Sequence, residues 1–320
     1  MKRSPAIASV INVAEMLAVF AGIVLFFSVY SYHFISVKTF LTIANQIPTI
    51  MVIAIGMTFV LLVAGIDLSV GSVMAFCGTV LSVALIDWHW AVLPAVVACI
   101  LVGAACGVIN GVITAYWAIP SFIVTLGTLE MARGAAYLMT ASRTKYIGSS
   151  IDFFSEPLVI GISIGFLAAL LLVAIGQLAL ERTVFGRFIV GIGTNEETMR
   201  LSGINTRGTK IAVFVLSGIL VAIAAVFHCS RLEAADPNAG AGLELQVIAA
   251  VVIGGTSPLG GRGSVITSFF GVLIISSLEY GLDQVGATDP VKRLITGAVI
   301  IAAVIFDLYR KRLRQPSTER

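Results

Sequence analysis

"AVLPAVVACILVGAACGVINGVITAYW" (residues 91–117) holds no Asp, Glu, Lys or Arg over 27 positions. A helix rises 1.5 Å per residue, and about 20 apolar residues cross the hydrocarbon of a bilayer. The stretch therefore reads as a transmembrane helix. Ala95, Cys99, Gly103, Gly107, Gly111 and Ala115 recur every fourth residue along it. Such a ladder strips bulk from one stripe and lets a neighbouring helix come close. It predicts a compact bundle and says nothing of what the bundle carries.

The rest of the chain follows this pattern. Mean hydropathy over the 320 residues is +1.03, with 58% hydrophobic and 12% charged residues. That charge content is about half the usual globular fraction of roughly 25%. Spans are predicted at about 13–30, 47–65, 70–86, 91–117, 121–141, 158–180, 211–230, 243–258, 264–280 and 291–308. The fold class is all-α: a polytopic membrane bundle of about ten helices with broken or re-entrant segments. Its parts are a cytoplasmic N-terminus (1–12), a transmembrane domain (13–308) and a cytoplasmic basic tail (309–320). Met1-Lys2-Arg3 precedes a run too long for a signal-peptide core, so the first span is read as uncleaved. Thirteen Lys and Arg fall on the segments then placed inside and six on those outside, which sets both termini in the cytoplasm.

Several functions are excluded. A net charge of +3, with its basic residues clustered in a few loops rather than forming a stripe, does not suit nucleic acid. Cys77, Cys99, Cys106 and Cys229 lie in or beside apolar runs without zinc-ligand spacing, as small packing residues do. His33, His89 and His228 are far apart. No metal, nucleotide-binding or serine-hydrolase motif occurs.

Two interruptions stand out. "VAGIDLSVGS" (63–72) and "VIGGTSPLGGRGS" (252–264) break apolar runs. They are surface turns, or irregular backbone at membrane depth that protein or a wet cavity must surround. Glu130 and Arg133, three apart in the fifth span, are expected to pair. Asn110 and Thr125 either join helices or line a path. Glu244 opens the eighth span.

The one long inner loop, 181–210, contains the polar stretch "GTNEETMRLSGIN" (193–205). Thr194 and Glu197 have the spacing of a capping box, Gly203 can supply a left-handed stop, and Glu196 and Arg200 can pair four apart. The predicted element is a short amphipathic helix with Met199, Leu201 and Ile204 as its apolar surface. A helix this short is marginal alone in water. It needs the protein's own inner face, lipid headgroups or another protein.

Four segments together carry a resemblance: "GMTFVLLVAGIDLSVGSVMAF" (56–76), "AIPSFIVTLGTLEMARGAAYL" (118–138), "TVFGRFIVGIGTNEETMRLSGIN" (183–205) and "GLELQVIAAVVIGGTSPLGGRGSV" (242–265). In this order they resemble the permease subunits of bacterial ATP-binding-cassette (ABC) sugar importers of the ribose type. The resemblance implies a multi-pass protein of the bacterial inner membrane and a dimer of permease chains, identical or not. It implies a separate cytoplasmic ABC ATPase that binds ATP and Mg, with no cofactor on this chain, and an extracytoplasmic sugar-binding protein. The polar helix becomes the coupling element, with Thr194, Asn195, Glu196, Glu197, Arg200, Leu201 and Gly203. Asp67, Ser69, Asn110, Thr125, Glu244, Gln246 and Thr256 are the expected substrate path. Gln246 stands where the family commonly has Asp, and Pro258 where it has Leu. The lost charge leaves the particular sugar open. The alternatives are a branched-chain amino-acid permease of the same type and a self-sufficient secondary transporter, which would require an ion-coupling site.

Overall fold

The computed structural model describes residues 5–30, 34–158 and 161–314. Thirteen α-helices occur among them: α1 Pro5–Tyr30, α2 Val37–Gln46, α3 Pro48–Leu62, α4 Val70–Ile86, α5 Val92–Trp117, α6 Ser121–Thr140, α7 Ile164–Arg182, α8 Val184–Thr194, α9 Glu196–Leu201, α10 Thr206–Leu232, α11 Leu243–Ile253, α12 Val265–Gln284 and α13 Asp289–Arg314. The strands β1 (Lys145–Tyr146) and β2 (Ala234–Ala235) pair antiparallel and tie two loops at one end of the bundle. The helices α8 and α9 mark the other end. By length and composition α5, α7, α10 and α12 are able to cross a membrane, and α2 with α3, bent by 51° at their junction, are together long and apolar enough for a broken span or a re-entrant loop.

The centre is α3. It is apolar all round, and every residue except Ile50 is buried; a helix with no polar face belongs in a core. Around it stand α7, α10, α11 and α12. The ladder of α5 faces α10, as its spacing requires. A Cβ on Gly103 would stand 2.3 Å from the Gly218 carbonyl oxygen, and one on Gly107 2.4 Å from that of Phe214. Gly218 returns the fit against Gly103 at 2.1 Å. The backbones are in contact because neither helix carries side chains there. The opposite side of α5 exposes Leu93, Val97 and Leu101. Trp88 and Trp90 stand beyond one end of α5, and Tyr116 and Trp117 close the other. The 26 residues of α5 rise about 39 Å between these aromatic ends, close to the span between the two interfacial layers.

Three expectations about the spans are corrected. The second span begins ten residues earlier, at Val37, because Pro48 sits at the first turn of α3, where its missing N–H costs nothing and a new helix axis can start. The eighth stops at Ile253, since Gly255, Gly260 and Gly261 take left-handed backbone (φ +87°, +86° and +73°). The loop 181–210 holds two helices rather than one. The additional helix, α8, buries Gly186, Ile189 and Ile192.

Candidate functional site

Two features concentrate polarity: a network inside the bundle and the helix α9 at its end.

The first break, 63–69, lies in the interior. Asp67 is 4% and Ser69 1% exposed. Ser217, close to the midpoint of the 27-residue α10, donates to the Asp67 carboxylate at 3.4 Å. The break is therefore about half-way along a helix roughly 40 Å long. Val63, Ala64 and Gly65 still bond back to the last turn of α3, and beyond them side chains of α6 take over. The Ile66 N–H donates to Ser121 Oγ (2.8 Å) and the Leu68 N–H to Thr125 Oγ1 (3.0 Å). Asp67 accepts from the Ser69 N–H and hydroxyl (3.0 and 2.6 Å). Asn110 donates to Ser69 Oγ (3.1 Å) and accepts from Thr128 (2.5 Å). Among Asp67, Ser69 and Asn110 lies a cavity of only about 10 Å³, also lined by Val70, Val73 and Cys106.

A second irregular segment meets the first. Gly78 of α4 packs on Cys229 and Ala235, and Gly71, about 10 Å nearer the start of α4, packs on Gly240. Residues 235–240 thus descend alongside α4, antiparallel to it, before α11 begins. Arg133 holds this descent, donating to the carbonyls of Pro237 and Ala239 (2.5 and 2.8 Å), and Tyr137 donates to Asn238 Oδ1 (2.7 Å). The expected Glu130–Arg133 ion pair is not formed. The free carbonyls of the irregular segment capture the guanidinium, and Glu130 sits on the exposed side of α6. The result is two short helices, α4 and α11, that start side by side and run to opposite ends. Only Gly fits at position 71, where a Cβ would lie 2.1 Å from the Gly240 oxygen and 2.8 Å from the Glu244 carboxylate.

The expected path residues are placed as follows. Asp67, Ser69, Asn110 and Thr125 form one buried network, and Glu244 lies at its edge over Gly71, half-buried. Gln246 is half-buried on the side of α11 near Glu279 of α12. Thr256 is elsewhere, in a buried hydroxyl cluster with Ser268 (3.3 Å) and, through it, Thr58 (2.8 Å). The break at 254–263 is a tight turn at the α9 end, where Gly261 N–H donates to Leu62 O (3.0 Å) beside Gly193. Ser121, Thr128 and Ser217 escaped sequence reasoning. The only available signal was the i, i+4, i+7 repeat of hydroxyl residues Ser121, Thr125 and Thr128 in α6.

The helix α9 exists, with details that differ from expectation. Its cap is Asn195, extended at φ −160°, whose Oδ1 accepts from the Thr198 N–H (2.9 Å). Thr194 is still helical as the last residue of α8, so its hydroxyl bonds back to Val190 O (2.8 Å) and makes no capping box. Arg200 pairs with Glu197 (2.7 Å) rather than Glu196, which instead takes Lys210 at the base of α10 (2.5 Å). The hydrogen bond from Arg200 holds the Glu197 carboxyl below the usual carboxylate range. Gly203 is left-handed at φ +79°, as expected. No residue of α9 is buried. Met199 is its apolar seat, its side chain lying where a Cβ on Gly191 would stand 2.5 Å away, and the Glu196–Lys210 pair ties it to α10. Leu201 is 76% exposed.

An all-helical bundle with irregular segments meeting inside it, and an unburied helix at one end, is the architecture of a multi-pass membrane protein. The family model described as "Branched-chain amino acid transport system / permease component" matches residues 39–304. The ribose import permease of Haemophilus influenzae is 37% identical over 281 residues, covering 86% of this chain and 87% of that one. The L-arabinose ABC transporter permease of Azospirillum brasilense is 35% identical over 304 residues (92% and 89%), and the D-allose permease of Escherichia coli 35% over 277 (86% and 85%). No solved structure matches. The chain belongs to the family of ABC import permeases that includes these sugar permeases.

Proposed function

We propose that this chain is the membrane-spanning half of an ATP-driven monosaccharide importer, and that α9 receives the force of a separate ABC ATPase at the cytoplasmic face. One observation carries the coupling role: a six-residue helix, too short to stand alone, is held by one methionine and one ion pair and presents Glu197, Arg200 and Leu201 outward. A partner groove completes it. Thr194 and Gly203 fix its ends, and Asn195 and Glu196 fix its orientation through the cap and the Lys210 pair.

Closure of the ATPase pair moves α9, and α8 transmits the movement to the loop 254–263 and the end of α3, which meet at Gly193, Gly261 and Leu62. The bundle then swings between two rigid arrangements. Asp67, Ser69, Asn110, Thr125 and Thr256 hold broken or hydroxyl-linked backbone within this path, and the half-buried Glu244 and Gln246 are the members open to cargo. An extracytoplasmic binding protein delivers the sugar, and two permease chains enclose it in the bacterial inner membrane, with both termini inside.

The sugar relatives favour a monosaccharide over a branched-chain amino acid, the cargo named in the family description. The test is Arg200→Glu, or deletion of residues 195–201, in a chain expressed with its ATPase. Uptake and ATPase co-purification are expected to vanish while the permease remains folded and inserted. Normal co-purification of the deletion variant overturns the coupling role.

A further inference from the structure

Glu130 has no place in the mechanism so far. It is the tenth residue of the 20-residue α6, and it lies opposite the face on which Thr125, Thr128 and Ala132 are buried. Around it on the exposed side are Ile123, Leu126, Gly127, Met131 and Gly134. Thr125 and Thr128 meet the network half-way along α10, so the carboxylate sits near mid-membrane.

Three surroundings exist for such a group. Lipid is excluded by the cost of a carboxylate in hydrocarbon. A dry contact with a second permease chain requires a cation at the same depth. Among the described residues Arg133 is the sole Lys or Arg in the middle of a long apolar helix, and it is bound to the Pro237 and Ala239 carbonyls. Water is what remains. A carboxylate in a wet passage accepts hydrogen bonds from two neighbouring hydroxyls at once, the pattern that a sugar ring's vicinal diol presents. Gly127 and Gly134 flank it with open space: a Cβ on either would meet nothing within 4 Å.

Building on the sugar-importer reading, we propose that the exposed face of α6 lines the water-filled passage between two permease chains, with Glu130 as its sugar-binding carboxylate. The first test places Glu130→Cys in a chain whose four cysteines are replaced by alanine and treats membranes with a charged methanethiosulfonate. A labelling rate within about tenfold of that at Leu201→Cys is expected, because a thiol ionises readily only in water; a slower rate overturns the passage. The second test uses the native-cysteine chain assembled with its ATPase and binding protein. Glu130→Gln is expected to raise the KM of uptake about tenfold, because a charged acceptor is lost, and Glu130→Leu to abolish uptake, both at unchanged membrane level and ATPase co-purification. Full uptake by Glu130→Leu overturns the binding role. Fast labelling in a chain that moves no monosaccharide refutes the sugar reading, and the binding role with it, but leaves the passage standing.

Discussion

Gly107→Ala is the sharpest probe of the packing that holds the bundle together. The added Cβ would stand 2.4 Å from the Phe214 carbonyl oxygen and 2.8 Å from Val215 Cα, so α5 and α10 must part by at least about 0.6 Å to reach the 3.0 Å that real Cβ contacts respect. Both obstacles are backbone, and no side chain is free to swing away. Overpacking of this kind costs about 1–3 kcal/mol, offset by up to about 1 kcal/mol from alanine's better helix propensity. Gly22→Ala provides the reference, because a Cβ there meets nothing within 4 Å and only the propensity gain applies. The difference between the two variants is therefore about 1–3 kcal/mol, or several degrees in midpoint temperature for a chain of this size. Thermal unfolding of both variants in one detergent, followed by loss of monodisperse protein, measures it. Equal midpoints for Gly107→Ala and Gly22→Ala would refute the claim that these backbones touch.

Thr125→Val keeps the shape but strands the Leu68 N–H, and is expected to cost about 1–3 kcal/mol in the same assay, whereas Thr125→Ser keeps most of the stability. Arg133→Met releases the carbonyls of Pro237 and Ala239 and is expected to lower stability by about 1.5–3 kcal/mol; hydrogen exchange is expected to rise first in residues 236–242. Because Glu197 is held below the ordinary carboxylate range, its pair with Arg200 is fully present above that range and is lost only as pH falls through the lowered value. A step in ATPase affinity is thus expected in the wild type at a lower pH than an unpaired glutamate would give, with no such step in Glu197→Gln.

Much of this architecture is legible in residue spacing. The four-residue ladder of α5 identifies a close helix contact, and Gly103 and Gly107 supply it. Gly203 ends α9 because a left-handed residue without Cβ is the simplest stop. What escaped the sequence depends on partners distant in the chain. Arg133 prefers carbonyls more than 100 residues away to a neighbour one turn off, because irregular backbone leaves those carbonyls unbonded. Thr194 and Asn195 are both competent caps, and the choice falls to Asn195 because α8 continues through Thr194. For Asp67 the sequence left a surface turn and irregular backbone at membrane depth equally open, and the α6 hydroxyls that serve the Ile66 and Leu68 N–H groups decide for the interior.

Cross-linking from α9 bears most directly on how this permease is driven. With a photo-reactive amino acid at position 201, irradiation of cells expressing the whole transporter is expected to join the permease to a protein carrying an ATP-binding Walker motif, with a yield that changes when ATP hydrolysis is blocked. If position 201 captures no such protein, or is labelled by an impermeant reagent from outside the cell, α9 is not the point at which this permease is driven.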